Sequence, residues 1–244
     1  IADKPVEVIG DTEKSGTEVL FRADPEIFET IEFSFDVLSK RLRELAFLNK
    51  GILITIEDQR LPTPKRHDFR FEGGVSEFVT FLNKNKTTIH KEPIYFEAER
   101  EGIQMEVALE YNDGYNENIF SFCNNINTRE GGTHLVGFKS ALTRTLNDVL
   151  RHSKLAKKVD ESLTGDDVRE GLTAVISVKV QNPQFEGQTK SKLGNSEVKG
   201  VVESQVNESL AAHFDENPKT AERILEKTVL AAKARSAARK AREL

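Results

Sequence analysis

Hydrophobic positions recur along the first third of the chain with the spacing of helices. Leucine returns every three or four positions between Asp36, a plausible N-cap, and Gly51, where a helix should stop; these leucines are Leu38, Leu42, Leu45 and Leu48. Positions spaced in this way share one helix face. Residues 75–82 repeat the pattern after a glycine pair. Between the two helices, apolar residues 52–56 predict a strand, and we expect the main sheet to begin there.

Strands dominate the middle of the chain. Apolar and polar residues alternate with period two over residues 103–111, after a first strand at residues 94–99. The sequence Asn112-Asp113-Gly114 offers turn chemistry, and residues 119–123 form the next apolar run. Period-two runs separated by turns are typical of paired strands. The pattern therefore predicts an antiparallel meander.

The second half of the chain alternates between helices and one strongly strand-like run. Thr133 is placed to cap a long helix, and Thr164 a short one. Residues 172–180 predict a strand, residues 181–196 a polar loop and residues from 198 a helix that Asn217 ends. Pro218 then starts a last helix. We predict an α+β fold with a mixed four-stranded sheet and helices on one face.

The last helix carries a narrow stripe of mostly small residues between basic side chains: Ile224, Ala231, Ala234, Ala238 and Ala241. Such a stripe could not form a thick core, so we interpret the helix as a solvated connecting segment, with a role facing DNA as the alternative. Residues 221–244 carry seven Lys or Arg and three Glu, a net of +4, while the chain carries −5. The remaining acidity argues against indiscriminate binding of nucleic acid.

Composition narrows the class of protein. A hydrophobic fraction of 37% and a charged fraction of 31% are those of soluble globular proteins. No apolar run approaches the roughly 20 residues of a membrane helix, and no secretory signal is evident. The single Cys123 cannot form an internal disulfide, which fits a cytoplasmic protein, and no base lies beside it to activate it. Because Met105 is the only methionine and the chain begins at Ile1, we expect a piece of a longer protein.

Standard catalytic motifs are absent from the sequence. There is no Walker-type loop, dinucleotide fingerprint, nucleophile elbow or zinc-ligand spacing. The most informative segment is loop 183–195, which places two lysines, an amide and several hydroxyls just before a helix. Lysine and glutamine can both donate to phosphate, although composition alone favours an ordinary solvated loop. Its polar character predicts a mobile loop with little to bury.

Four segments carry a specific resemblance, in family order across nearly the whole chain: GTEVLF, FDVLSKRLRELAFLNKGI, REGGTHLVGFKSALTRTLN and QTKSKLGN. They resemble the gyrase B class, the ATP-driven B-type subunits of bacterial type II DNA topoisomerases. The resemblance implies that residues 1–31 are the last strands of a GHKL ATPase domain. It implies that residues 32–219 are a transducer domain with a left-handed βαβ crossover, as in a ribosomal-protein fold. Residues 220–244 would then be a basic connecting helix.

The resemblance also assigns roles to single residues. Gln188 and Lys190 match the loop that touches the γ-phosphate of ATP, with Lys190 as the catalytic cation, and Thr17 matches a threonine near the adenine. Lys139 matches a basic position that lines the DNA cavity, and Arg144 and Arg151 lie along the same helix. The family's other ATPase residues would lie upstream of this chain. ATP and Mg²⁺ are therefore implied for the full-length protein, and no cofactor is expected in this chain.

The implied partners are a gyrase A-type subunit, a second B-type subunit in an ATP-dependent dimer, and double-stranded DNA, with no membrane. Two other interpretations stay open from the residues themselves: a freestanding nucleic-acid-binding module, and a purely structural dimerisation domain. The sequence pattern does not separate gyrase from topoisomerase IV.

Overall fold

A computed structural model describes residues 5, 7–159 and 161–242. The helices are α1 Phe35–Leu48, α2 Gly74–Asn83, α3 Thr133–His152, α4 Gly165–Arg169, α5 Ser196–Glu216 and α6 Pro218–Arg242, with a 3₁₀ helix at Lys154–Lys158. The strands are β1 Ile54–Asp58, β2 Lys65–Phe69, β3 Ile94–Arg100, β4 Ile103–Tyr111, β5 Asn118–Cys123, β6 Ile126–Asn127 and β7 Leu172–Lys179. Within these described residues, no helix has both the length and the apolar character needed to cross a bilayer.

The main sheet has five strands in the order β3-β4-β7-β5-β6, so the prediction of four strands is wrong. The additional strand is β6, whose two residues pair with the end of β5. The chain reverses between them through Asn124 and Asn125, both with positive φ (50° and 65°), a conformation that asparagine tolerates. Two residues are too few to show a period in the sequence. Among the strands that the structure describes, β1 pairs with β2 alone in a separate hairpin, so the main sheet does not begin there.

Helices cover both faces of this sheet, which corrects the prediction of helices on one face. The larger core lies between the sheet and α3, α5 and α6, and it receives Ala174, Ile176 and Val178 from β7. Val175 points to the opposite face, into a smaller cluster with α1 and α2. Phe47 of α1 contributes to that cluster and stacks on aromatic neighbours. A strand buried on both faces has an almost continuous apolar sequence, as residues 172–180 do.

Strands β5 and β7 are parallel neighbours, joined by a crossover that contains α3, the 3₁₀ helix and α4. The resemblance implies a βαβ crossover, and this connection joins two parallel strands through helices in that way. The left-handedness of the crossover stays a prediction. Thr164 caps α4 in a reciprocal capping box with Asp167, as predicted. The other two capping predictions are wrong, because α1 is capped by Ser34 and α3 begins after Gly132.

Helix α6 is divided between core and solvent. Its first half contributes Ile224, Leu225 and Val229 to the main core. In its second half, Ala234 and Ala238 are exposed, so the predicted small-residue stripe does not form one buried face. The interpretation as a wholly solvated connector is therefore wrong for the first half of α6. The domain division at residue 220 stays a prediction.

Residues 7–33 form neither helix nor strand and carry exposed apolar side chains, among them Ile9, Leu20 and Phe21. The strands that the resemblance implies for residues 1–31 are therefore not formed within residues 7–31. A strand needs a neighbour for its backbone N–H and C=O groups. No strand in the described part of the chain pairs with this segment.

Candidate functional site

The polar loop at residues 183–195 is folded as a hairpin, which we call the sensor hairpin after the phosphate contact that the resemblance implies for it. Phe185 and Leu193 form an antiparallel bridge between its arms. The Glu186 amide donates to the Lys192 carbonyl (2.9 Å), and the Gly194 amide donates to the opposite arm (2.7 Å). Leu193 is fully buried and Phe185 packs against the main core. The expectation that this segment has little to bury is therefore wrong at its base.

The base of the sensor hairpin is joined to the start of α3 by backbone hydrogen bonds. The Leu193 amide donates to the Gly131 carbonyl and the Thr133 amide donates to the Leu193 carbonyl, each at 3.1 Å. Gly132 lies between them with φ 136° and ψ −169°, a region essentially restricted to glycine. A Cβ there would lie 2.4 Å from the Leu193 carbonyl oxygen. The hairpin and α3 are thus held together by a contact that glycine makes possible.

The tip of the sensor hairpin carries the two residues predicted to touch phosphate. Gln188 and Lys190 are both exposed, and Lys190 has φ 53°. The second lysine, Lys192, is ion-paired with Glu186 at 3.1 Å. The Lys190 ammonium has no acidic partner among the described residues. Only one of the two lysines is therefore free to meet an external anion.

Thr17 is not brought to this tip. It lies in the exposed segment 7–33, whose described hydrogen bonds are all within the segment. The structure therefore brings together Gln188 and Lys190 and leaves Thr17 apart. Its adenine role stays a prediction.

A buried polar cluster lies beneath the junction of hairpin and helix. His134 is fully buried, and its Nε2 atom lies 3.1 Å from the Thr128 hydroxyl, which in turn contacts the Ser121 hydroxyl at 2.8 Å. The His134 Nδ1 and Thr133 Oγ1 atoms are buried without a hydrogen-bond partner. Burial lowers the pKa of His134 to about 4, so the ring is neutral at neutral pH. No pattern in the sequence predicts a buried polar role for His134, although it belongs to the segment REGGTHLVGFKSALTRTLN that carries the resemblance.

The three basic residues predicted to contact DNA lie along α3, and each is ion-paired with a carboxylate. Lys139 pairs with Glu117, Arg144 with Glu203, and Arg151 with Asp148. Their carboxylate partners come from the loop before β5, from α5 and from α3 itself. These basic positions of α3 are therefore rich in charge but locally neutral.

Glu117 is shared between two cations. Its Oε1 atom faces Lys139, and its Oε2 atom accepts from the Arg169 guanidinium at 2.7 Å. Partial burial acts to raise the pKa of Glu117, but the hydrogen bonds from both cations outweigh it and lower that pKa. Glu117 therefore stays ionised, and its position before β5 ties the start of that strand to α3 and α4.

Comparison with known proteins supports the resemblance on which these sites rest. A family model described as DNA gyrase B matches residues 74–244. The chain belongs to the DNA gyrase B family. It is 59% identical to the DNA gyrase B subunit of Treponema denticola, covering 98% of this chain and 38% of that protein. It is 55% identical to the DNA gyrase B subunit of Myxococcus xanthus, covering all of this chain and 30% of that protein. The chain thus spans between 30% and 38% of the length of these relatives.

Solved structures of gyrase B and a paralogue share the fold. The 43K ATPase domain of Thermus thermophilus gyrase B, in complex with an aminocoumarin, superposes with a TM-score of 0.78 at 40% identity, over 90% of this chain and 59% of that one. The topoisomerase IV ATP binding domain of Francisella tularensis gives a TM-score of 0.71 at 26% identity, over 87% and 57%. The α+β architecture of this gyrase B family member is thereby confirmed.

Proposed function

We propose that this chain is the transducer region of one polypeptide of an ATP-hydrolysing type II DNA topoisomerase, and that its sensor hairpin detects the terminal phosphate of ATP. The observation that carries the proposal is the contrast within the hairpin. Lys190 presents at the tip an ammonium that no acidic side chain of the described residues pairs, while Leu193 at the base is bonded to the start of α3. A charge contact at one end can therefore move a helix at the other.

The physical basis of sensing is electrostatic. The Lys190 ammonium and the Gln188 amide are both donors, and negative charge on a transferring phosphoryl group is stabilised by such donors. Lys190 would supply the catalytic cation and Gln188 a neutral donor. The hydrogen-bonded base connects both residues to the start of α3. Phosphate release would remove the attraction and free the hairpin to swing, which converts ligand charge into domain motion.

The described residues suit ATP phosphate but not Mg²⁺. Donor side chains at the hairpin tip fit an anion. By contrast, no group of three or more His, Cys, Asp or Glu side chains in the described ranges is arranged to hold a metal ion. The ATP pocket itself, with any metal, would belong to the ATPase domain of the same assembly.

Motion of the sensor hairpin would be transmitted to DNA through α3. Lys139, Arg144 and Arg151 present basic groups along a helix whose first residue is bonded to the sensor hairpin. We infer that double-stranded DNA passes this face and that the relay serves strand passage and supercoiling. The expected partners are a gyrase A-type subunit and a second B-type subunit, in the cytoplasm. Family membership favours this function over a freestanding nucleic-acid-binding or dimerisation module.

The proposal is tested by steady-state ATPase assays on the complete protein carrying single substitutions in the sensor hairpin. Lys190→Ala should reduce turnover by about 10²- to 10³-fold, the usual cost of losing one positioned donor to a developing charge. Lys192→Ala is the matched control, since that ammonium is paired with Glu186, and its effect should be much milder. Thermal melting would check that both variants fold. Normal turnover in Lys190→Ala would remove the hairpin from the mechanism.

A further inference from the structure

The basic residues of α3 are neutralised by carboxylates that three different parts of the fold supply. Arg144 and Arg151 keep more than half of their side chains exposed (60% and 70%), whereas Lys139 is exposed by only 32%. A DNA phosphate that approached this face would meet cations that already have partners. Binding there requires an exchange of one anion for another.

Glu117 is the acid best placed to control that exchange. It is itself only 33% exposed, and its two oxygens contact Lys139 and Arg169 separately. Arg169 has a second acidic partner, Asp166, at 2.8 Å. Lys139 has Glu117 as its sole ion-pair partner in the part of the chain that the structure describes. Loss of the Glu117 charge would therefore release Lys139 while Arg169 stayed paired.

We propose that Glu117 is a built-in counter-ion that competes with DNA phosphate for Lys139 and so keeps the affinity of the α3 face for DNA low. The inference rests on the DNA-contact part of the proposed function. Because the phosphate must displace a carboxylate that Lys139 already holds, contact with DNA gains little net charge neutralisation. A duplex that passes this surface is thereby bound weakly and released readily.

Counterion release gives this competition a measurable signature. Each phosphate that a protein newly neutralises makes the dependence of log K on log salt steeper by about 0.9 for duplex DNA. One extra contact therefore strengthens binding by roughly 5- to 10-fold near 0.1 M salt. A change at a distant site that only alters net charge would not add a specific phosphate contact.

The test is a titration of a short DNA duplex by fluorescence anisotropy across a series of salt concentrations, using this chain. Glu117→Gln should bind about 5- to 10-fold tighter at 0.1 M salt, with a slope steeper by about 0.9. The matched control is Glu72→Gln, which frees Arg70 from a 2.8 Å ion pair near α2. It changes net charge equally but lies across the sheet from α3, so it should tighten binding less. Lys139→Met added to Glu117→Gln should abolish the gain.

Melting curves would show whether Glu117→Gln keeps the fold despite its loosened Arg169 contact. Glu117→Asp is a second route, because the shorter carboxylate keeps its charge but does not span both Lys139 and Arg169; tighter binding that Lys139→Met removes would support the inference. If Lys139→Met weakens binding but neither Glu117 variant tightens it, Glu117 has no competitive role and the DNA-contact proposal survives. If the unmodified chain fails to bind the duplex even at low salt, both the DNA-contact proposal and the counter-ion role of Glu117 are contradicted.

Discussion

The base and the tip of the sensor hairpin have opposite physical characters. At the base, Leu193 is fully buried and exchanges backbone hydrogen bonds with the residues around Gly132. At the tip, Gln188 and Lys190 are exposed, and the Lys190 ammonium has no acidic partner in the described residues. Exposed donors and a fixed support thus lie only a few residues apart, as the proposed recognition of phosphate would require. The base should control stability, and the tip should control ligand response.

The largest stability effect is expected at the base. Leu193→Ala should lower the free energy of unfolding by about 2–5 kcal/mol, because it leaves a cavity in the core beside α3. Urea unfolding of this chain would measure the loss. Lys192→Ala, next to it but half-exposed, should change stability by no more than about 0.5 kcal/mol. Equal losses in the two variants would contradict the contrast between base and arm.

The buried histidine beneath the base should make stability depend on pH. The pKa of His134 is about 4 in the folded protein and about 6.5 in the unfolded chain, so the unfolded chain binds the proton first. Stability should therefore fall as pH drops from about 6.5 to about 4, by up to about 3 kcal/mol, and be fully present above that range.

Burial also lowers the pKa of His90 and His213, so both contribute to the same trend. The informative quantity is the difference between the original chain and His134→Gln in unfolding measured at several pH values. A flatter pH profile in the variant is expected. Parallel profiles would show that His134 does not titrate on unfolding.

The glycine contact at the junction should have the next largest effect. Gly132→Ala should cost about 1–3 kcal/mol from its backbone conformation, and more from the displacement of Leu193. Gly187 near the tip is the matched control, since it also has positive φ (80°), but a Cβ added to it would meet no atom within 4 Å. Gly187→Ala should therefore lower the melting temperature by less than Gly132→Ala does. A larger loss of stability at Gly187 would mean that backbone strain, and not the contact with Leu193, causes the destabilisation.

The smallest stability effect is expected at the tip. Gln188→Ala should change the free energy of unfolding by less than about 0.5 kcal/mol, because an exposed side chain loses no buried contact. In the complete protein the same change should reduce ATP turnover by less than Lys190→Ala does, since a neutral donor contributes less than a charged one. Chemical unfolding and ATPase assays on the same variant would measure both. A marked loss of stability would contradict the independence of tip and base.

Local pattern predicted much of the fold. The period-two run at residues 103–111 and the continuous apolar run at 172–180 both form strands, and Thr164 caps its helix. Predictions failed where a distant partner decides the outcome. Residues 17–21 have strand-like composition, but no described strand pairs with them. The two-residue β6 became a strand because β5 offers it a register.

The same contrast between local pattern and distant partners applies to the candidate site. Gln188 and Lys190 were predicted from the sequence because the motif around them is contiguous. The structure places both exposed at one tip, and their contact with phosphate stays a prediction. Composition alone did not distinguish the two hairpin lysines, and only the resemblance singled out Lys190. The structure shows that Lys192 and the basic residues of α3 have carboxylate partners.

By itself, therefore, the sequence determined the α+β class, most element positions and the segments that resemble the family, because these depend on neighbours within a few residues. Only the tertiary structure decided which strand joins which sheet, which face of a helix is buried and which charges are free. Pairing, burial and charge compensation join residues far apart in the chain, as Lys139 and Glu117 or Gly132 and Leu193 show. A local sequence pattern does not show which distant residues come into contact.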